Sequence, residues 1–192
     1  MIAVIILAAG SSSRLGHSKQ KVSLNGISLL EITTRCALES EAAHVLVVLG
    51  AQAREHQSLI SNLPVEIVVN HQWEKGMGNS LKVGLNHLIE THPEYDGALI
   101  LVCDQPFLTT AHLNRMMNEF RLHQPEIVAS EYQTVGVPAL FRNSLFPELL
   151  KIGDQEGARK LLQHHAGKIV TIPLEGGEVD IDTPEDLKKW IP

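Results

Sequence analysis

The sequence predicts an α/β fold: a single-domain, Rossmann-like, three-layer α/β/α sandwich on a mostly parallel mixed sheet. Three observations predict it. Short β-branched runs alternate with longer stretches of helical periodicity, the pattern of parallel strands joined by crossover helices. Connections are mostly short, so the sheet is expected to be open and twisted, with helices on both faces. The length of 192 residues suits one α/β core, which makes a single domain over 1–192 the default.

The elements follow in order. Ile2–Ala9 is apolar, but it lacks a basic leader and stops at Gly10, short of the roughly twenty apolar residues of a membrane span. It is read as a buried strand over 2–7. Further strands are expected over 44–49, 65–69, 98–102, 126–129 and 168–172. Ser28 with Glu31 forms a capping box for a helix over 29–39, while Asn79, Thr109 and Thr183 cap later helices and Pro184 fits a first helical position. Gln133–Phe141 breaks the alternation, because Gly136-Val137-Pro138 interrupts an apolar run. An antiparallel element near the sheet edge, where proline is tolerated, is expected there. In such a sheet the ligand lies beyond the carboxyl ends of the strands.

Sixteen basic against twenty-two acidic residues leave a net charge of −6, which argues against DNA or RNA as partner. A phosphorylated small molecule stays compatible if the few cations gather at one site. Two cysteines, Cys36 and Cys103, show no metal-type spacing and indicate neither a disulfide framework nor a structural zinc site, as expected of a cytoplasmic protein. The ten histidines are scattered, and the pair His164-His165 lacks the i, i+4 spacing that aims two imidazoles at one metal. They are read as surface residues.

After the first strand comes Leu7-Ala8-Ala9-Gly10-Ser11-Ser12-Ser13-Arg14-Leu15-Gly16-His17-Ser18-Lys19. Small residues let backbone amides approach phosphate oxygens, and Arg14 and Lys19 supply the charge a triphosphate needs. The loop is neither a Walker P-loop, because His17 follows Gly16, nor a dinucleotide fingerprint, because Ser12 replaces the second glycine. Asp104 follows the strand over 98–102, either projecting from its carboxyl edge as a Mg²⁺ ligand or forming a turn. If 179–181 is a strand, Asp180 and Asp182 point the same way. Alternatively Asp182 or Thr183 caps a helix over Pro184–Trp190, and Glu185 and Asp186 are assigned to its dipole. Gly76–Leu81 precedes a helix and reads as an anion-binding N-terminus or a capped glycine turn. Gly136-Val137-Pro138 and Gly153–Arg159 show no chemistry by spacing; Asp154 suits a cap and Arg159 a helix surface.

Leu7–Lys19 resembles the signature loop of the nucleotidyltransferases with a glycosyltransferase-A-like, nucleotide-diphospho-sugar transferase type of fold. Within that superfamily the chain most resembles the molybdopterin nucleotidyltransferases, and the likeness covers nearly its whole length. Cys103–Phe107 resembles their metal-binding segment. The resemblance implies that Leu7, Ala8, Ala9, Gly10, Arg14 and Lys19 wrap the nucleotide, with Gly78, Ser80 and Asp104 completing its pocket. It implies Arg14, Lys19 and Asp104 as catalytic residues and Gly136, Pro138, Asp154 and Arg159 on the substrate side. Asp104 would bind Mg²⁺, or Mn²⁺ as a substitute, with Asp182, backed by Asp180, as second ligand. One departure is Lys21-Val22-Ser23, where the family has an apolar pair and then proline, and it leaves the packing of the loop end open.

The implied reaction is transfer of CMP from CTP to the phosphate of molybdopterin or molybdenum cofactor with release of pyrophosphate, and handover of the product to a molybdoenzyme or its chaperone. Ala9 and Gln105 resemble the cytidylyl-transferring branch, whereas guanylyl-transferring relatives carry glycine at the position of Ala9. A β-carbon there narrows the pocket floor in favour of a pyrimidine. The alternatives are guanylyl transfer to the same cofactor, nucleotidyl transfer to a sugar or polyol phosphate, and a non-catalytic nucleotide-binding chaperone or sensor. No Ser/His/Asp or Cys/His constellation is evident, and none is needed. A phosphomonoester with a second pKa near about 6 is already ionised at neutral pH.

Overall fold

The computed structural model describes residues 1–11, 18–181 and 186. Arg14, Asp182, Thr183, Pro184 and Glu185 lie outside the described residues. Seven strands form one sheet: β1 (Ile2–Ala8), β4 (His44–Leu49), β5 (Glu66–Val69), β6 (Gly97–Val102), β7 (Ile127–Glu131), β8 (Val135–Arg142) and β9 (Ile169–Pro173), in the order β5-β4-β1-β6-β8-β7-β9. A two-residue hairpin of β2 (Ser23–Leu24) and β3 (Ile27–Ser28) stands apart. The expected mixed, mostly parallel sheet is present: β1 pairs in parallel with β4 and β6, β4 with β5, and β7 with β9, whereas β8 runs antiparallel to both neighbours.

β8 is the expected antiparallel element, but it lies in the interior of the sheet, between β6 and β7. Proline is accommodated there because the register slips between Ala129 and Ser130, whose partners are Ala139 and Gly136. Val137 and Pro138 thus fall in a bulge where no ladder hydrogen bond is required of the proline nitrogen.

The alternation of β1 divides the core in two. Ala3, Ile5 and Leu7 face α3 (Met77–Thr91), α5 (Phe146–Leu149) and α6 (Arg159–His164), while Ile2, Val4, Ile6 and Ala8 face α1 (Leu29–Leu38) and α4 (Thr110–His123). Every residue of β1 is buried, as a central strand covered on both faces must be. A further helix, α2 (Ala53–Leu59), follows β4. Ser28 and Thr109 cap as expected, each accepting a hydrogen bond of 3.2 Å, from Glu31 N and His112 N. Asn79 does not cap. The N-cap of α3 is Gly76, at φ 122°, and Asn79 lies inside the helix.

Burial corrects the reading of the histidines. His56 and His112 are in the interior, at 0 and 4% exposure, and His44, His87 and His92 gather around one glutamate. Cys36 and Cys103 are free and buried, and burial pushes the Cys103 thiol up to about 12. Among the described residues no helix is long and apolar enough to cross a membrane.

Candidate functional site

Because β1, β4, β6, β7 and β9 share one direction, their carboxyl ends share one edge, and antiparallel β8 begins there. Residues 8–11, 18–20, 104–105, 132–138 and 174–181 therefore meet at that edge. The chain leaves β1 toward β4 on one side and returns from β5 to β6 on the other, so the crevice falls where strand order reverses.

At its centre Lys19 Nζ donates to Asp104 Oδ2 at 3.0 Å, across 85 residues of sequence, with both side chains about four-fifths buried. Asp104 Oδ1 is buried without a hydrogen-bond partner among the described residues. The backbone continues the cluster: Ile181 N donates to the Asp104 carbonyl at 3.1 Å, bringing Asp180 alongside. Although Asp180 opens to solvent on one side, its carboxyl is pushed up to about 6, first by partial burial and then by the negative charge of Asp104, with Lys19 opposing and Asp186 adding to the effect. Asp186, assigned from sequence to a helix dipole, thus also contributes to the potential of the site. An orphaned buried carboxylate oxygen beside a second carboxylate is a donor set of the hard-oxygen kind that Mg²⁺ or Mn²⁺ takes, and the residues fit such an ion. Asp104 and Asp180 would hold it.

The loop around this cluster is closed by side chains that sequence reasoning passed over. Gln20 Nε2 donates to the carbonyls of Ala8 and Gly10, each at 3.0 Å, tying the loop's end to its start. The Ser18 hydroxyl donates to Gln20 Oε1 at 2.7 Å, so His56, 2.6 Å away, is the donor to Ser18 through Nε2. Burial, and then the charge of Lys21, keeps His56 below the usual imidazole range and therefore neutral. Val22 packs on Leu29 and Ile181, so the segment that departs from the family pattern is well anchored.

The expected nucleotide residues divide. Leu7, Ala8 and Ala9 are buried, while Gly10 is exposed with open space around its α-carbon. The Ala9 β-carbon packs toward Gly50 and Trp73, since a β-carbon on Gly50 would lie 2.8 Å from it and 2.6 Å from the Trp73 β-carbon. Gly78 and Ser80 are both buried with protein partners. A β-carbon on Gly78 would overlap the carbonyl oxygens of Gly153 and Glu156, and Ser80 Oγ accepts from Asn70 Nδ2 at 3.0 Å and donates to the Gly76 carbonyl at 3.4 Å. Each residue has an architectural reason to be there. Gln105 is also engaged: its amide nitrogen donates to Val137 O at 3.0 Å and Gly177 O at 3.1 Å, which joins β8 to the segment after β9.

On the expected substrate side, Pro138 lies in the bulge of β8 and Gly136 at its edge, paired with Ser130, and a β-carbon on Gly136 would overlap the Tyr132 hydroxyl. Tyr132 was not foreseen. Its phenol is pushed up by burial and then by the charge of Asp180, while Arg159 and Gln105 pull the other way. Arg159 is exposed on that turn, as a helix-surface reading expects, but it faces the site electrostatically. Asp154 is not a cap. It pairs with Lys82 Nζ at 2.5 Å, and the hydrogen bond from that ammonium holds its carboxyl below the ordinary value. No local pattern marks Tyr132 or His56, because each acquires its neighbours only through strand pairing or helix packing.

Comparison with known proteins agrees with this geometry. The MobA-like NTP transferase domain matches residues 4–169. The chain is 32% identical to the purine catabolism protein PucB of Bacillus subtilis, over 95% of this chain and 92% of that protein. It is 28% identical to the nicotine blue oxidoreductase of Paenarthrobacter nicotinovorans, over 92 and 84% of the two chains. It is 24% identical to a probable molybdenum cofactor guanylyltransferase of Trichormus variabilis, over 97 and 88%. Among solved structures, Rv0371c of Mycobacterium tuberculosis superposes with a TM-score of 0.85 at 26% identity, covering 99 and 97% of the two chains.

Proposed function

Since this chain belongs to the MobA-like NTP transferase family, we propose that it is a nucleotidyltransferase that moves CMP from CTP to the terminal phosphate of a molybdopterin-type acceptor. The observation that carries the reading is the cluster of Lys19, Asp104 and Asp180 beyond the glycine-rich loop, with an unsatisfied carboxylate oxygen at its centre.

An acceptor phosphate oxygen attacks the α-phosphorus of the triphosphate, the bond to the bridging oxygen of the β-phosphate breaks, and pyrophosphate leaves. The acceptor arrives ionised, so the protein has no proton to remove. Its residues align and neutralise. Lys19 and, as the resemblance implies, Arg14 receive charge developing on the leaving group, and the Gln20–Ser18–His56 chain ties the end of the phosphate loop to its start. Asp104 and Asp180 would hold a divalent cation, with Asp182 the further ligand that the resemblance implies, and that cation would supply additional charge stabilisation. Arg159, close to Tyr132, is the cation suited to the acceptor, and Gly136 and Pro138 shape its side of the cleft.

Two observations bear on the base. The Ala9 β-carbon packs toward Gly50 and Trp73, and the likeness of Ala9 and Gln105 to the cytidylyl-transferring branch is what supports the smaller pyrimidine. The guanylyltransferase named among the relatives supports GTP as the second reading. Pyrophosphate release from ATP, CTP, GTP and UTP, with Mg²⁺ and molybdopterin in the presence and absence of molybdate, separates them. Turnover with CTP is expected. Preferential turnover with GTP overturns the cytidylyl reading, and none with any triphosphate returns the chain to the class of nucleotide sensors or chaperones.

A further inference from the structure

We propose that a second metal site, of the Zn²⁺ class, lies at the opposite end of the sheet, formed by His44, Glu66 and His92. His44 is the first residue of β4, Glu66 the first of β5, and His92 the C-cap of α3, so two of the three stand at the amino ends of strands whose carboxyl ends approach the nucleotide crevice and the third joins them from the end of a helix. One donor atom from each lies within 4.8 Å of the other two. His44 Nε2 is 2.7 Å and His92 Nε2 3.6 Å from the same oxygen, Glu66 Oε2. Tetrahedral Zn²⁺ with nitrogen and oxygen ligands at about 2.0–2.2 Å needs donors roughly 3.4 Å apart, and both histidine nitrogens stand within about 0.7 Å of that spacing from Glu66 Oε2.

The surroundings are those of a built site. The other carboxylate oxygen, Glu66 Oε1, is held by His87 Nε2 at 2.6 Å, which orients the carboxylate from behind. His92 Nδ1 lies 3.6 Å from Glu94 Oε1, which places a carboxylate on the side of the ring away from the candidate ion. The His44 and His92 rings lie 4.6 Å apart with Tyr95 packed against both. The ligands are 22–32% exposed, leaving one side open for a solvent ligand. Two imidazoles converge here on one carboxylate oxygen while a third takes the other. A divalent cation accounts for that convergence, since it accepts neutral imidazole lone pairs and the carboxylate together. The ligand set joins β4, β5 and the end of α3, so an ion there would stabilise the fold without entering the transfer reaction.

The test titrates Zn²⁺ into the full chain, stripped with a chelator and desalted, against a chromophoric competitor in excess Mg²⁺, which occupies the Asp104 site. Co²⁺ serves as a spectroscopic stand-in. One equivalent of Zn²⁺ at micromolar or tighter affinity is expected, with Co²⁺ giving the absorption of a four- or five-coordinate centre. Uptake should persist in Asp104→Asn and fall by at least about tenfold in His44→Gln and in His92→Gln. Zn²⁺ should also raise the Tm of the unmodified chain, a readout independent of how well the variants fold. Failure of the unmodified chain to bind Zn²⁺ at micromolar metal, binding unaffected by both histidine variants, or binding abolished by Asp104→Asn would each overturn the proposal.

Discussion

Acid should destabilise this protein through His112, and the size of the effect follows from its surroundings. His112 lies in α4 at 4% exposure, with Nε2 2.8 Å from Ser130 Oγ. The Ser130 hydroxyl donates to the Pro138 carbonyl at 2.9 Å, so it accepts from His112, which holds its proton on Nε2 and is neutral. Burial, and then the charge of Arg115, lowers His112 from 6.5 to about 4. Below about pH 6.5 the unfolded chain therefore takes up a proton that the folded chain refuses, and stability falls with pH until the folded value near 4 is passed. The difference between 6.5 and about 4 corresponds to about 3 kcal/mol. For a chain of this size that amounts to some 6–12 °C in Tm. Urea unfolding of the parent and of His112→Gln, whose amide can still donate to Ser130, should be compared near pH 7 and near pH 4.5. The parent should lose about 2–3 kcal/mol more than the variant over that interval. If the two lose stability in parallel, His112 is not a neutral buried group and the reasoning fails.

Lys19→Ala should lower kcat/KM by about ten- to a thousand-fold, as expected for losing one electrostatic stabiliser, and unchanged steady-state kinetics would return Lys19 to a purely structural partner of Asp104. Asp104→Asn should abolish metal-dependent turnover while circular dichroism and Tm stay near the parent's; an active, folded variant removes Asp104 from the mechanism. Gly78→Ala should destabilise by about 1–3 kcal/mol, because its β-carbon overlaps the carbonyls of Gly153 and Glu156, and an unshifted Tm would show that this loop yields freely. Ala9→Gly should narrow the ratio of kcat/KM for CTP over GTP by no more than about 1–3 kcal/mol without inverting it, since only a methyl-sized space against Gly50 and Trp73 opens. A ratio left untouched would detach base choice from residue 9.

The sequence by itself determined what depends on near neighbours in the chain. Strand positions follow from runs such as Ile2–Leu7, helix starts from Ser28 and Thr109, and Lys19 and Asp104 are recognisable within their own segments, because periodicity and capping act over a few residues. Tertiary structure decided everything that joins distant segments. β8 entered the interior because its bulge relieves the proline of a ladder bond, a consequence of pairing with two other strands. Gly78 and Ser80, read as nucleotide residues, acquired protein partners through the packing of α3 on the 153–156 loop and on Asn70. The interior histidines, read from sequence as surface residues, likewise depend on distant partners. His56 lies 38 residues from Ser18, His44 is 22 from Glu66, and Tyr132 comes under the charges of Arg159 and Asp180 only after β7, α6 and the C-terminal segment have assembled. Burial and charge environment are properties of the folded surroundings, and a residue's immediate sequence neighbours do not encode them.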